Sequence, residues 1–244
     1  MSISSHKTVR ELAVEIPNAT RVFENFGIDY CCGGKRPLDE ACAGANLPVD
    51  EVIKALSAAA KPSASHEGHL QSGSLAELIN HIVKTHHRFT REETARLKTL
   101  LAKVCSAHGK NHPELLAIQE TFLALDQELA LHLMKEENVL FPYIVRTEEA
   151  LFQNEPPLPG PFGTVQNPIR MMVQEHDGAG DALRAIREAS RNFSLPQDAC
   201  VSYQTLYHAL AGFEADLHQH IHLENNILFP RAAEMEESAL TAAR

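Results

Sequence analysis

The sequence predicts an all-α protein, with a small N-terminal helical domain followed by a four-helix bundle. Apolar residues recur at helical spacing over most of the chain, and no stretch alternates apolar and polar residues as a strand would. One eleven-residue phrase is also written twice. His132-Leu133-Met134-Lys135-Glu136-Glu137-Asn138-Val139-Leu140-Phe141-Pro142 returns as His220-Ile221-His222-Leu223-Glu224-Asn225-Asn226-Ile227-Leu228-Phe229-Pro230. The common pattern is His-x-x-x-Glu-x-Asn-x-Leu-Phe-Pro, so one half of the bundle looks like a duplicate of the other.

Residues 1–57 read as short helices. Thr8-Val9-Arg10-Glu11 is a capping box, in which a hydroxyl and a carboxylate three apart satisfy free backbone donors. A second helix around Ala19 to Phe26 stops at Gly27, and Leu38 to Ala43 supplies a third. Asp50 can cap a fourth that holds Val52, Ile53 and Leu56. The glycines of Tyr30-Cys31-Cys32-Gly33-Gly34 demand a turn and predict an exposed pair of thiols. Residues 58–74, rich in Ala, Ser, Gly and Pro, have the composition of a linker.

Residues 75–244 form the bundle. Leu75, Leu78, Ile79 and Ile82 start an apolar stripe that Leu97, Leu100, Leu101 and Val104 continue, and Thr90-x-x-Glu93 can restart the helix after a slight kink. Gly109 to Pro113 breaks it, and Pro113 suits a first helical position. The second helix runs from Leu115 through Ile144. Phe152 to Pro168 holds five prolines and two glycines and is the crossover loop. A third helix spans about Ile169 to Asn192 and ends at Ser194-Leu195-Pro196. The fourth spans about Ala199 to Glu236, interrupted near Phe229-Pro230. Two hairpins joined by one crossover make a four-helix bundle.

With 244 residues, 44% of them apolar, the chain can bury a real core. No apolar run approaches the roughly 20 residues of a membrane span. The start, Met1 to Arg10, lacks a signal-type apolar stretch, so the expected location is the cytoplasm, where thiols stay reduced. A net charge of -10 without a Lys/Arg cluster argues against a general nucleic-acid binder. Five cysteines show no disulfide spacing, and Cys42, Cys105 and Cys200 read as core.

Position decides which of the 14 histidines matter. Residues of antiparallel helices are level when equally far from the turn between them. About the first turn, near Lys110, His132 lies 22 residues after and His87 23 before. About the second, near Asp198, His220 lies 22 after and His176 22 before. All four imidazoles therefore fall roughly 33 Å from the turns at 1.5 Å per residue. His108 and His112 fall beside the first turn, at the opposite end. His218 and His222 point away from His220 on the helix, and His6, His66, His69, His81 and His208 have no partner of matching height.

Glu136 and Glu224 follow their histidines by four residues, on the same helical face. A carboxylate can bridge two cations and an imidazole cannot. The two glutamates are therefore expected as bridges, and His87, His132, His176 and His220 as terminal ligands, two per metal. Nitrogen and carboxylate donors suit a redox-capable first-row metal such as iron, with zinc still open.

At these residues the chain resembles the hemerythrin-like di-iron bundles, and more closely the bacterial Repair of Iron Centres family. The matching segments are Asp29-Tyr30-Cys31-Cys32-Gly33-Gly34, His108-Gly-x-x-His112-Pro-Glu-Leu, both copies of the phrase, and Glu175-His176-Asp177. The resemblance implies two non-haem iron ions with an oxo or hydroxo bridge. It also implies repair of iron–sulfur clusters damaged by nitrosative or oxidative stress, usually through iron supply. Damaged iron–sulfur proteins are the implied partners, with nitric oxide or oxygen as small ligands. A nitric oxide reductase, a hemerythrin-like oxygen or nitric oxide sensor, and a homodimer stay open. His86 stands where the family commonly carries an aromatic, so His86 in place of His87 is a second option. Cys31 and Cys32 are the candidate catalytic thiols, for thiolate chemistry, iron relay or partner contact, against a purely structural pair.

Overall fold

The computed structural model describes residues 3–16, 18–60, 72–156 and 158–242. Residues 61–71, most of the expected linker together with His66 and His69, lie outside the described residues. In chain order the helices are α1 Val9–Glu15, α2 Ala19–Phe26, α3 Leu38–Gly44, α4 Val49–Ala59, α5 Leu75–Ile82, α6 Arg88–His108, α7 Glu114–Lys135, α8 Phe141–Phe152, α9 Gln166–Ala189, α10 Val201–His222 and α11 Phe229–Ala242. Among the described residues there is no strand, only two isolated bridges, Thr8 with Pro37 and Gly160 with Gly163. No described helix is long and apolar enough to cross a membrane. The chain divides into two compact units. One comprises 81–143 with 166–217, and the other 1–80 with 144–165 and 218–244.

The first unit is a bundle whose core follows an alternating three-and-four rhythm. α7 buries Leu115, Ile118, Phe122, Leu125 and Leu129, and α9 buries Ile169, Met172, Ala179, Leu183 and Ile186. His132 and His176 are further members of those same stripes. The residues with ligand chemistry thus occupy positions that packing keeps from water. Phe122 and Phe213 meet edge to face at 5.6 Å, and both are almost fully buried. Each such side chain contributes on the order of 1.5–3 kcal/mol. Ion pairs flank this core, Lys98 to Asp126 at 2.7 Å and Arg187 Nε to the buried Glu214 at 2.9 Å.

The second unit contains α1–α4 around Val9, Leu12, Phe23, Leu38, Val52 and Leu56. The Thr8/Glu11 capping box forms as expected, with Glu11 N–H on Thr8 Oγ1 at 3.2 Å and Thr8 N–H on Glu11 Oε2 at 2.8 Å. α2 ends at Gly27 in the left-handed region (φ 64°), which costs a residue without Cβ little. α4 starts after Pro48, so Asp50 sits in its first turn and is not its cap. Leu75 and Ala76 N–H donate to the Glu148 carboxylate at 2.6 and 2.9 Å, which supplies acceptors to the start of α5.

Among the described residues three π-helical turns interrupt the long helices, at Val83–His87, Glu136–Leu140 and Leu223–Leu228. The first places the break earlier than the kink expected at Thr90. The other two precede Pro142 and Pro230. A proline has no N–H for the carbonyl four residues back, and its ring crowds that carbonyl. A locally wider turn relieves the crowding. At the second copy, the Asn226 carbonyl that Pro230 leaves without a donor lies 3.5 Å from Arg10 Nη2.

Candidate metal centre

In the bundle unit His87, His132, Glu136 and His176 converge, and all are buried. His132 Nε2 lies 3.3 Å from Glu136 Oε1, and His87 Nε2 lies 3.5 Å from Oε2. His176 Nε2 stands 3.0 Å from His132 Nε2. The outer nitrogens decide the tautomers. His87 Nδ1 is 2.7 Å from Glu137 Oε1, which Arg91 also engages at 2.9 Å. His132 Nδ1 is 2.8 Å from Glu175 Oε2, and Lys135 pairs with the same carboxylate.

An ionised carboxylate only accepts, so each imidazole carries its proton on Nδ1 and turns the Nε2 lone pair inward. Burial pushes Glu137 and Glu175 toward higher pKa, but the bonds from His87 and Arg91, and from Lys135 and His132, outweigh it and hold both below the usual range. Glu136 has no hydrogen-bond donor on either oxygen although it is 0% exposed. A buried carboxylate without donors, facing imidazole lone pairs, costs several kcal/mol in isolation. A cation removes that cost, so the donor set fits non-haem iron on this observation.

The second copy of the phrase lies in the other unit. His220 Nε2 sits 3.0 Å from Glu224 Oε1, and both are buried, with the same i,i+4 spacing as His132 and Glu136. His222 Nδ1 pairs with Asn226 Nδ2 at 2.8 Å. Burial, with the Arg10 charge, pushes His222 down to about 4, so the neutral imidazole accepts. Asn226 Nδ2 also donates to Tyr30 O at 2.9 Å, and Asn225 Nδ2 to Cys31 O at 3.4 Å. The Cys-Cys turn is thereby tied to the residues that flank Glu224.

That turn differs from its expected exposure. Cys31 is buried, and Cys32 is half-buried with its Sγ 3.6 Å away. The reason is Asp29, whose Oδ1 accepts the backbone N–H groups of Cys31 (3.1 Å) and Cys32 (2.9 Å) and curls the turn inward. The hydrogen bond with Cys32, burial and the neighbouring charges push the Cys31 thiol well up. Asp29, Cys31 and Cys32 bring their donor atoms within 4.8 Å of one another. Cys200, expected in the core, is exposed just ahead of α10.

His86 turns from the cluster and pairs with Asp216 at 3.1 Å. His108 and His112 lie beside the α6–α7 turn with Asp198. Glu175 went unrecognised as an orienting group, although it precedes His176 directly. Side-chain direction across two helices is not visible in one-dimensional spacing.

Two family models match the chain: ScdA_N, a domain of unknown function, over residues 5–60, and the hemerythrin HHE cation binding domain over 78–232. A probable iron-sulfur cluster repair protein of Haemophilus influenzae is 38% identical over 232 residues, 95% of this chain and 98% of its own length. The iron-sulfur cluster repair protein YtfE of Escherichia coli O81 is 36% identical over 222 residues, 91% of this chain and 94% of its own. That of Escherichia fergusonii is 35% identical over the same shares.

Proposed function

The chain belongs to the iron–sulfur cluster repair family with a hemerythrin-like cation-binding domain, and from that premise we propose a di-iron protein that supplies iron to clusters damaged by nitrosative or oxidative stress. The observation that carries the reading is Glu136, buried between imidazoles and lacking any hydrogen-bond donor. In this reading His87, His132, Glu136, His176, His220 and Glu224 would hold two irons, the glutamates as shared ligands and the imidazoles as terminal ones. Support for joining the two halves comes from the repeated His-x-x-x-Glu spacing and from the single family match that runs across residues 78–232.

When bound, the irons with their oxo or hydroxo bridge supply redox chemistry and a labile iron store. Glu137 and Glu175 keep the protons of His87 and His132 on Nδ1, so that Nε2 stays available as a ligand atom. The apolar stripes above and below keep water from Glu136. Cys32, the more accessible thiol, with Cys31 and Asp29, would supply thiolate chemistry for an iron relay to a client. The clients are damaged iron–sulfur proteins of the cytoplasm.

The test starts from protein produced in iron-rich medium, with metal analysis, Mössbauer spectroscopy and incubation with a nitrosylated iron–sulfur enzyme. Two irons per chain and recovery of client activity are expected, with both lost in Glu136→Leu. Full iron occupancy without client recovery or iron transfer refutes the reading. Sustained conversion of nitric oxide to nitrous oxide without iron loss replaces it with a reductase.

A further inference from the structure

At the α6–α7 turn of the bundle unit, two histidines of the turn meet a carboxylate from a distant part of the chain. His108, His112 and Asp198 bring ligand atoms within 4.8 Å of one another. A fourth donor adjoins them, since Cys200 Sγ lies 3.2 Å from His108 Nε2. His112 Nε2 lies 3.0 and 3.1 Å from the two Asp198 oxygens. We propose that His108, His112, Asp198 and Cys200 form a separate mononuclear site for a borderline divalent cation of the zinc class.

The donor chemistry selects that class. Two imidazoles, one carboxylate and one thiolate are soft and nitrogen-rich, unlike the all-oxygen shells of magnesium or calcium. The spacing agrees. Tetrahedral bonds of about 2.0–2.3 Å set neighbouring donors about 3.4–3.6 Å apart. The observed 3.0 and 3.2 Å separations need to open by a few tenths of an ångström, while Cys200 Sγ, which lies outside the set that falls within 4.8 Å, must swing toward His112 and Asp198. Asp198 and Cys200 are exposed and can yield.

The imidazoles, by contrast, are braced. Both rings rest edge-on against Tyr203, at 5.4 and 5.5 Å, and Tyr203 is fully buried. His112 Nδ1 is held by Glu114 Oε1 at 3.1 Å, the carboxylate–histidine arrangement that orients a metal-binding imidazole. A cation takes the place of the Nε2 proton, and the thiol proton of Cys200 is released to solvent.

The site is independent of the di-iron reading, and the test separates the two. Iron-loaded full-length protein is titrated with cobalt(II), and thiolate-to-cobalt charge-transfer absorption is recorded in the near ultraviolet. None of the six His/Glu positions carries sulfur, so that band reports a cysteine-containing site alone. One added equivalent of cobalt with the band is expected. It should vanish in Cys200→Ser, weaken at least tenfold in affinity in His112→Ala, and persist in the double variant Cys31→Ser/Cys32→Ser. Iron content should stay unchanged in Cys200→Ser, whose exposed position leaves folding intact by circular dichroism. Absence of the band, its survival in Cys200→Ser, or its loss in the Cys31/Cys32 variant overturns the proposal.

Discussion

Asn138 and Asn226 occupy the same position in the repeated phrase, yet the structure gives them unequal work, which makes a controlled experiment. Asn226 is buried and serves two partners, Tyr30 O at 2.9 Å and His222 Nδ1 at 2.8 Å. Asn226→Ala removes both donors and leaves two buried acceptors without them. At about 1–3 kcal/mol for each stranded group, the loss falls at roughly 2–6 kcal/mol, with about 4 as a central value. Asn138 is exposed, and its Nδ2 donates to Met134 O within its own helix at 2.7 Å. Water replaces that bond, and alanine is the better helix former, so Asn138→Ala should change stability by less than about 0.5 kcal/mol. Urea unfolding of the metal-free variants, followed by circular dichroism, gives the comparison directly. Because Asn226 also anchors the Cys-Cys turn, Asn226→Ala should speed alkylation of Cys31, whereas Asn138→Ala should not. Equal destabilisation by the two variants, or an unchanged Cys31 rate in Asn226→Ala, would refute the reasoning.

Glu136→Leu should raise the melting temperature of the metal-free protein while abolishing dinuclear iron, because it deletes a buried carboxylate that lacks donors. Calorimetry and metal analysis check this, and retention of both irons contradicts the bridging role. Glu137→Gln and Glu175→Gln should each weaken iron binding about 10–100-fold in chelator competition, since they loosen the proton placement on His87 and His132. Asp29 is pushed up by burial, but N–H donation from Gly33 and Cys32 prevails and its folded pKa is lowered. Its stabilisation is therefore complete above the ordinary value near 4 and is lost as pH falls through the folded value. The stability gap between the parent and Asp29→Asn should be widest near neutrality and close below about pH 4, and a gap of equal size at pH 3 and pH 7 refutes it. Gly34→Ala places a Cβ 2.6 Å from Tyr30 O, so the turn must shift, and thiol reactivity of Cys32 should change measurably.

Much of the helical order was legible because packing rhythm is written in the chain. The stripe through Leu115, Ile118, Phe122, Leu125 and Leu129 needs only local periodicity to be read. Counting from the turns also singled out His87, His132 and His176, which the bundle unit brings together around Glu136. Counting favoured His87 over His86 by a single position, but the physical reason for the difference was not legible. The π-helical turn Val83–His87 shifts the helical phase there, which sends His86 to Asp216 and His87 to Glu136. The buried state of Cys31 was hidden as well, since it depends on Asp29 recruiting two backbone N–H groups and on Asn225 and Asn226 holding the turn.

By itself, the order of residues determined an all-helical chain, its turns, the duplicated His-x-x-x-Glu phrase and the identity of the groups with ligand chemistry. Those features follow from local propensity and periodicity, which act within a few residues. Tertiary packing alone decided which nitrogen of each imidazole faces inward and where the helices widen. It also decided that two asparagines at the same motif position differ in burial, and that His108, His112, Asp198 and Cys200 share one corner. Such outcomes depend on partners roughly 40 to 200 residues away, and pairwise distances in space are what set proton position, desolvation and convergence.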